Sequence, residues 1–394
     1  MLSNIGNWME NVGQSWVVAS QTHSAFHVEL LSFAQFLPVI FLALPAGVLA
    51  DKYNRKTVLL SAQLAMCLFA TTLAILAHLG YASPTLVICI TFLEGAAWAF
   101  NGPAWYTVVP NLVPRKDLTS AIALNSIQFN IARLVGPAIA GLIVAHFGFA
   151  YAFDLNALSF LAVIFAILFV KIDFQKDDAK NSKTQPITFY QAWKWVWEHK
   201  GTKRLVISIA LFALLSAPLQ GLMPYFASDI LKTGPQGLGT LLACLGGGAI
   251  TGAFLLGYVP ADYPFSKLIP WAFIILGAFM LIYSQSPWLA LTYPILYLAG
   301  IFWLCIMIST NTAMQLLIPD KIRGRAMSIL IMAHVGVLPF GHMLGGILAK
   351  HIGPRDTTLL DSICLLIVGF YTLIKKRPEM DGIRTPVLDP PISH

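Results

Sequence analysis

The chain has 394 residues, of which 57% are hydrophobic and only 11% charged, where a soluble domain carries about a quarter charged residues. With a mean hydropathy of +0.72, these figures exclude a soluble globular or disordered chain and define a polytopic membrane protein. The formal charge of +7 would suggest nucleic acid in a soluble protein. Here the basic residues lie between apolar segments, so membrane topology accounts for them and no nucleic-acid partner is expected.

In chain order, hydropathy predicts helices near residues 1–21, 27–50, 57–79, 84–109, 118–145 and 149–170. Six more follow near 204–227, 236–259, 266–284, 288–315, 324–349 and 357–374. No basic region followed by an apolar core opens the chain, so a cleavable signal peptide is not expected. The first helix is polar: Asn4, Asn7, Asn11 and Gln14, spaced 3, 4 and 3, share one face, with Glu10 beside them. Such a stripe avoids lipid. It either lines a water-filled cavity, which we favour, or glues the helix to its neighbours.

Helices 2 and 3 meet at Gly47-Val-Leu-Ala-Asp51-Lys-Tyr-Asn-Arg55-Lys56, a tight turn whose positive charge predicts a cytoplasmic position. Gly47 removes a side chain where a neighbouring helix could approach closely. Helix 4 sets Glu94, Trp98, Asn101 and Trp105 on one face, suited to a flat or cationic organic ligand. The alternative for Trp105 is an interfacial anchor. Helix 5 carries Ser126, Asn130 and Arg133 on one stripe, then Gly136, Pro137 and Gly141.

A charge at the centre of a membrane helix costs about 2.5–3.5 kcal/mol, so each one needs a reason. Glu94 and Arg133 fall at similar depth, and pairing would offset much of their burial cost. That pair reads either as a fixed ion pair or as a proton or substrate switch. In helix 11, His334 and His342 are two turns apart and fall on broadly one side; histidine chemistry suits proton transfer, and packing by hydrogen bonds is the alternative. Asp154 and Asp361 are weaker candidates.

The segment from Lys171 to Arg204 is polar. Its second part, 188–199, sets Trp193, Trp195 and Trp197 among charges and predicts an interfacial helix. We therefore divide the chain into a six-helix bundle (1–171), a cytoplasmic linker with that helix (172–203), a second six-helix bundle (204–376) and a cytoplasmic tail (377–394). With both termini inside, 21 of the 25 Lys and Arg residues are cytoplasmic, Lys232, Lys350 and Arg355 are outside, and Arg133 lies within a helix. This asymmetry predicts the orientation.

An internal repeat supports the division. Leu112-Val-Pro114-Arg-Lys116 aligns with Leu317-Ile-Pro319-Asp-Lys321 at an offset of 205, continuing ungapped to Gly148 and Gly353. Ala121 matches Ala326, Gly136 matches Gly341, Gly141 matches Gly346 and His146 matches His351. Joining helix 5 to helix 11, the offset is that of a parallel six-plus-six duplication. Glycines cluster in helices 5, 8 and 11, suited either to close-packed seams that can slide or to plain helix packing.

The five cysteines all lie in apolar segments without a motif and read as core residues, not as disulfides or metal ligands. No P-loop is present, so no nucleotide-driven step and no cofactor is expected.

The spacing Gly47-x-x-x-Asp51-x-x-x-Arg55-Lys56 resembles the signature loop between helices 2 and 3 of major facilitator superfamily transporters, with Asn54 where that family usually has Gly. Asn101-Gly-Pro103 through Asn125-Ser126, with Ala132-Arg133-Leu-Val-Gly136-Pro137, resembles its drug and siderophore efflux branch, the enterobactin exporter-like and macrolide efflux-like proteins. Gly136-Pro137-x-x-x-Gly141 is similar to the helix 5 motif of antiporters, with Ala140 in place of a glycine. The resemblance implies an all-α polytopic fold of twelve transmembrane helices in two pseudo-symmetric six-helix bundles. It implies a multi-pass secondary transporter of the bacterial inner membrane, monomeric, exporting a small amphipathic organic molecule in exchange for protons. An importer, a lipid or lysolipid flippase, or a non-transporting membrane sensor of the same fold are the alternatives. Expected cavity residues are Asn7, Glu10, Asn11, Gln14, Glu94, Trp98, Asn101, Asn130 and Arg133. Glu94, Arg133 and His334 are the expected proton-coupling residues. Gly47, Asp51, Arg55, Lys56, Gly136, Pro137 and Gly141 are expected to gate the conformational change.

Overall fold

A computed structural model describes residues 1–108, 117–169, 188–260, 263–375 and 378–380. The first part of the linker, the stretch holding Leu112–Lys116, and the tail from 381 lie outside it, as do the side chains of Asp51 and Arg55.

The described residues are helical, without a strand. In chain order they are α1 (Leu2–Thr22), α2 (Ala25–Lys52), α3 (Arg55–His78), α4 (Pro84–Val108), α5 (Leu118–Phe147) and α6 (Phe149–Phe169). There follow α7 (Phe189–Glu198), α8 (Lys200–Gly221), α9 (Met223–Tyr225), α10 (Gly234–Leu256), α11 (Phe265–Gln285) and α12 (Leu289–Leu317). The last are α13 (Arg323–Val335), α14 (Leu338–Ile352) and α15 (Pro354–Ile374). Among the described residues, eleven segments are long and apolar enough to cross a membrane. The twelfth membrane helix, α1, falls outside that set because its polar stripe dilutes its hydropathy, yet it packs among α2, α5 and α6.

Two departures from the predicted helices have local causes. Helix 11 is not continuous: Gly336 and Val337 separate α13 from α14, and Pro339 at the start of α14 has no N–H to extend the upstream ladder. The seventh span is similarly interrupted at Leu222, just before Pro224, and runs on through α9 and a π-turn, Phe226–Ile230. The helix expected in the second part of the linker forms as α7, with Thr188 and Gln191 as a reciprocal capping box. Ala192 and Val196 are buried against the second bundle while Trp193 remains exposed. Lys203 lies over the Trp197 ring. The 3-10 turn Pro378–Met380 docks on α8 and α11: Met380 is fully buried and Glu379 pairs with Arg204.

The duplication is visible in the packing. Gly136 of α5 lies against Trp8 of α1, and its repeat mate Gly341 of α14 lies against Leu214 and Ala217 of α8. Gly141 of α5 abuts Pro235 and Gly239 of α10, and its mate Gly346 abuts Phe26 and Glu29 of α2. Gly148 and Gly353 both end their helices with positive φ, 95° and 88°, conformations that favour glycine. One repeat therefore builds equivalent seams: α5 on α1 and α10, α14 on α8 and α2.

The bundle has a linker end, where α2 turns into α3, and a far end holding the turns at His23, Gly80, Gly148 and Gly353. The halves meet at the far end. There α2 runs along α14 and hardly touches α13, and α5 meets α10 along Arg133, Pro137 and Gly141. His23 pairs with Asp229 across the halves at 2.8 Å. Gly47, at the linker end, has no atom of the described residues within 4 Å of where a Cβ would stand. The close approach expected of it is absent, because the halves are apart there. This is a far-end-closed conformation.

Candidate substrate cavity

A cavity of about 310 Å³ lies between the halves, lined from α1, α2, α4, α5, α8 and α14 among others, within the size range of small-molecule sites. The polar face of α1 opens onto it: Asn4, Asn7, Glu10, Asn11 and Gln14 are lining residues. Helix α4 contributes Glu94 and Trp98, α2 contributes Gln35 and Phe36, and the second half contributes Gln220 and His342. Phe129 and Phe160 add aromatic surface.

The amides hold the cavity wall in place. Asn11 donates to Gln35 at 3.3 Å and Asn4 to Gln128 at 3.1 Å. Gln14 donates to Glu94 at 2.7 Å, and Asn156 donates to Glu10. The carboxyl groups of Glu10 and Glu94 lie near enough to interact electrostatically. Each has one buried oxygen that no described donor reaches, and the two carboxyl groups lie within hydrogen-bond reach of each other. No Lys or Arg is among the described lining residues.

Several expected residues sit elsewhere. Asn101 accepts from Gln63 at 3.0 Å, and Asn130 bonds its own helix at Ser126 O; neither lines the cavity. Arg133 does not pair with Glu94. It sits at the α5–α10 seam, near His334 of α13. The expected pairing fails because Glu94 looks along α4 toward α1, where Gln14 and Glu10 meet it. His334 stacks on Phe212, with centroids 6.0 Å apart, whereas His342 bonds Glu29 at 2.6 Å. The break at Gly336 gives the two histidines separate surroundings. Lys56 donates to Leu168 O, and Gly136, Pro137 and Gly141 pack the seams described above.

Two residues absent from the sequence reading prove central. Glu29 is a fully buried carboxylate on α2, and Asn156 is a fully buried amide on α6. Both carried a signal: polar groups inside the apolar segments 27–50 and 149–170, which membrane burial makes costly.

This architecture is that of a major facilitator transporter. The transmembrane secretion effector family matches residues 1–390, and the chain belongs to it. The chain is 25% identical over 383 residues to the staphyloferrin A transporter of Staphylococcus aureus, covering 94% of each. It is 25% identical over 388 residues to the multidrug efflux pump Tap of Mycolicibacterium fortuitum, covering 96% of this chain and 94% of that one. With macrolide efflux protein A of Streptococcus pyogenes it shares 24% identity over 365 residues, covering 89% and 88%. Its relatives are transporters, and the chain is a transporter, not an enzyme. A bacterial homolog of the human lysosomal transporter Spinster, solved inward-facing and unoccupied, superposes with a TM-score of 0.77 at 13% identity, covering 98% and 97%. A D-xylose–proton symporter gives 0.72 at 13% identity, covering 97% and 98%. These likenesses show the shared fold.

Proposed function

We propose that the chain exports amphipathic organic cations in exchange for protons by alternating access, through the cavity between its halves. The observation that carries this reading is the pair Glu10 and Glu94 in a wall of amides and aromatic faces, with no Lys or Arg among the described lining residues. A cationic head finds acceptors and aromatic faces there, while an anionic chelator would meet two carboxyl groups. Relatives named as multidrug and macrolide efflux proteins support export; the one named as a staphyloferrin A transporter favours a siderophore-like cargo instead. Carboxyl groups that can carry either a proton or a cation give the competition that exchange requires.

The distribution of Lys and Arg supports an orientation with the linker end and both termini on the cytoplasmic side of a bacterial inner membrane. The cavity is then open toward the cytoplasm and closed to the outside. It is lined by one chain, which supports a monomer as the working unit. Residues 1–171 and 204–376 are its two rocking halves, joined by 172–203, and 377–394 is the tail.

Equilibrium binding tests the substrate class. In detergent, a lipophilic aromatic cation should bind more tightly than its neutral isostere, and Glu94→Gln should weaken the cation by about tenfold or more. Equal affinities, unchanged by Glu94→Gln, would instead point to an importer, flippase or sensor of another ligand class.

A further inference from the structure

Arg133, midway along α5, is a cation without a counter-charge. Its guanidinium forms no ion pair and no hydrogen bond with a described residue, although charge inside a span is costly. The phase of α5 shows which way it points. Leu124 and Leu142 are exposed on one side of this helix, and at about 100° per residue Arg133 falls on the opposite side. That side faces the space between the halves. Phe129, one turn earlier, lines the cavity. A Cβ on Gly246 of α10 would lie 3.0 Å from the Arg133 carbonyl oxygen, and Leu242, one turn before that glycine, lines the cavity as well. Arg133 thus borders the cavity, and its partial exposure is to the opening between the halves.

The second half places His334 of α13 near enough to feel the Arg133 charge. Its ring is held by Phe212, which it stacks on with planes 17° from parallel, and Phe212 in turn packs edge-on against Trp303 at 5.0 Å. The imidazole is also part-exposed, and its Nδ1 has no partner among the described residues. A guanidinium from one half and an imidazole from the other therefore lie together, and no described carboxylate acts on either.

We propose that Arg133 and His334 form a subsite for a carboxylate of the cargo, so that the exported molecule is amphoteric. Its cationic head meets the Glu10–Glu94 wall and its carboxylate meets this one. A planar carboxylate matches the guanidinium fork, accepting two parallel N–H groups, and an imidazole N–H adds a third. A buried charge left unpaired is the costly arrangement, and the anion supplies the missing partner. The subsite deepens the cation reading of the cavity and rests on it for the other end of the cargo. A small anion from the medium offers the same chemistry, so the test includes one.

The test is equilibrium binding to the full-length protein in detergent at neutral pH. The probes are a lipophilic aromatic cation carrying a carboxylate on arms of increasing length, and the methyl ester of each. The best-fitting acid should bind about tenfold or more tighter than its ester. Arg133→Gln should bring that ratio near one, and Arg133→Lys, which keeps the charge without the fork, should retain only part of it. Where Arg133→Gln does not fold, the wild-type and Arg133→Lys ratios decide. A ratio near one at every arm length in the wild type overturns the subsite. If acetate then raises the unfolding midpoint of the wild type but not of Arg133→Lys, the site takes a small anion from the medium; if it does not, the guanidinium is merely hydrated. A high ratio undiminished in the Arg133 variants overturns it too. Glu94→Gln should weaken acid and ester alike, so failure of that effect counts against the cation reading alone, while the acid-to-ester ratio judges this subsite.

Discussion

The seam between α5 and α10 offers a direct perturbation of the conformational balance. A Cβ on Gly239 would lie 2.9 Å from Gly141 Cα and closer still to the carbonyl oxygen of Pro137, both backbone atoms of the opposite half. Neither can yield as a flexible side-chain tip would, so Gly239→Ala forces the helices apart. Overpacking of this kind costs about 1–3 kcal/mol. The seam joins the halves at the far end, so the cost falls on the far-end-closed state and spares a state in which α5 and α10 have parted. That differential shifts the balance toward the open far end by about 5- to 150-fold. The assay is labelling of a single cysteine at Asn7 in the cavity by a membrane-impermeant thiol reagent, in a background without native cysteines. Labelling from the linker side should fall and labelling from the far side should rise. Wild-type rates from both sides would show that this seam does not hold the closed state, and the reasoning would fail.

Three further outcomes follow from other contacts. Gly47→Val should act in the opposite direction, disfavouring only a state in which the linker end closes; reduced far-side access to the same cysteine, with unchanged thermal stability, is the expected signature. Glu94→Gln and Arg133→Gln should add without coupling in a stability cycle, since the two do not touch; an interaction energy above about 0.5 kcal/mol would restore the ion pair that the structure lacks. Asn156→Leu leaves the buried Glu10 carboxyl without its donor and should destabilise the protein by about 1–3 kcal/mol, read as a lower unfolding midpoint in detergent, with the size of the loss checking the bond.

Much of this architecture was legible in the sequence because membrane burial makes polarity conspicuous. The stripe on α1 could not face lipid, and it does face a cavity. The offset of 205 carried real geometry, for Gly136 and Gly341 pack equivalent seams and Gly148 and Gly353 make equivalent turns. Pairing between helices was not legible. Depth along the membrane suggested Glu94 with Arg133, but rotation about each helix axis decides partners. It turns Glu94 toward Gln14 and leaves Arg133 at the α5–α10 seam. Helix phase also removed Asn101 and Asn130 from the cavity. Glu29 was the costliest omission. Only the fold brings its partner, 313 residues away, to its side.

Substrate-driven proton movement measures the central claim most directly. Purified protein is placed in liposomes holding a pH-sensitive dye, and an outward gradient of a lipophilic aromatic cation is imposed with membrane potential clamped. Exchange predicts that cation leaving the vesicle drives protons in, acidifying the lumen, and that Glu94→Gln abolishes the signal at normal protein abundance. Cation flux that moves no protons, or an undiminished proton signal in Glu94→Gln, would contradict proton exchange at the Glu10–Glu94 site.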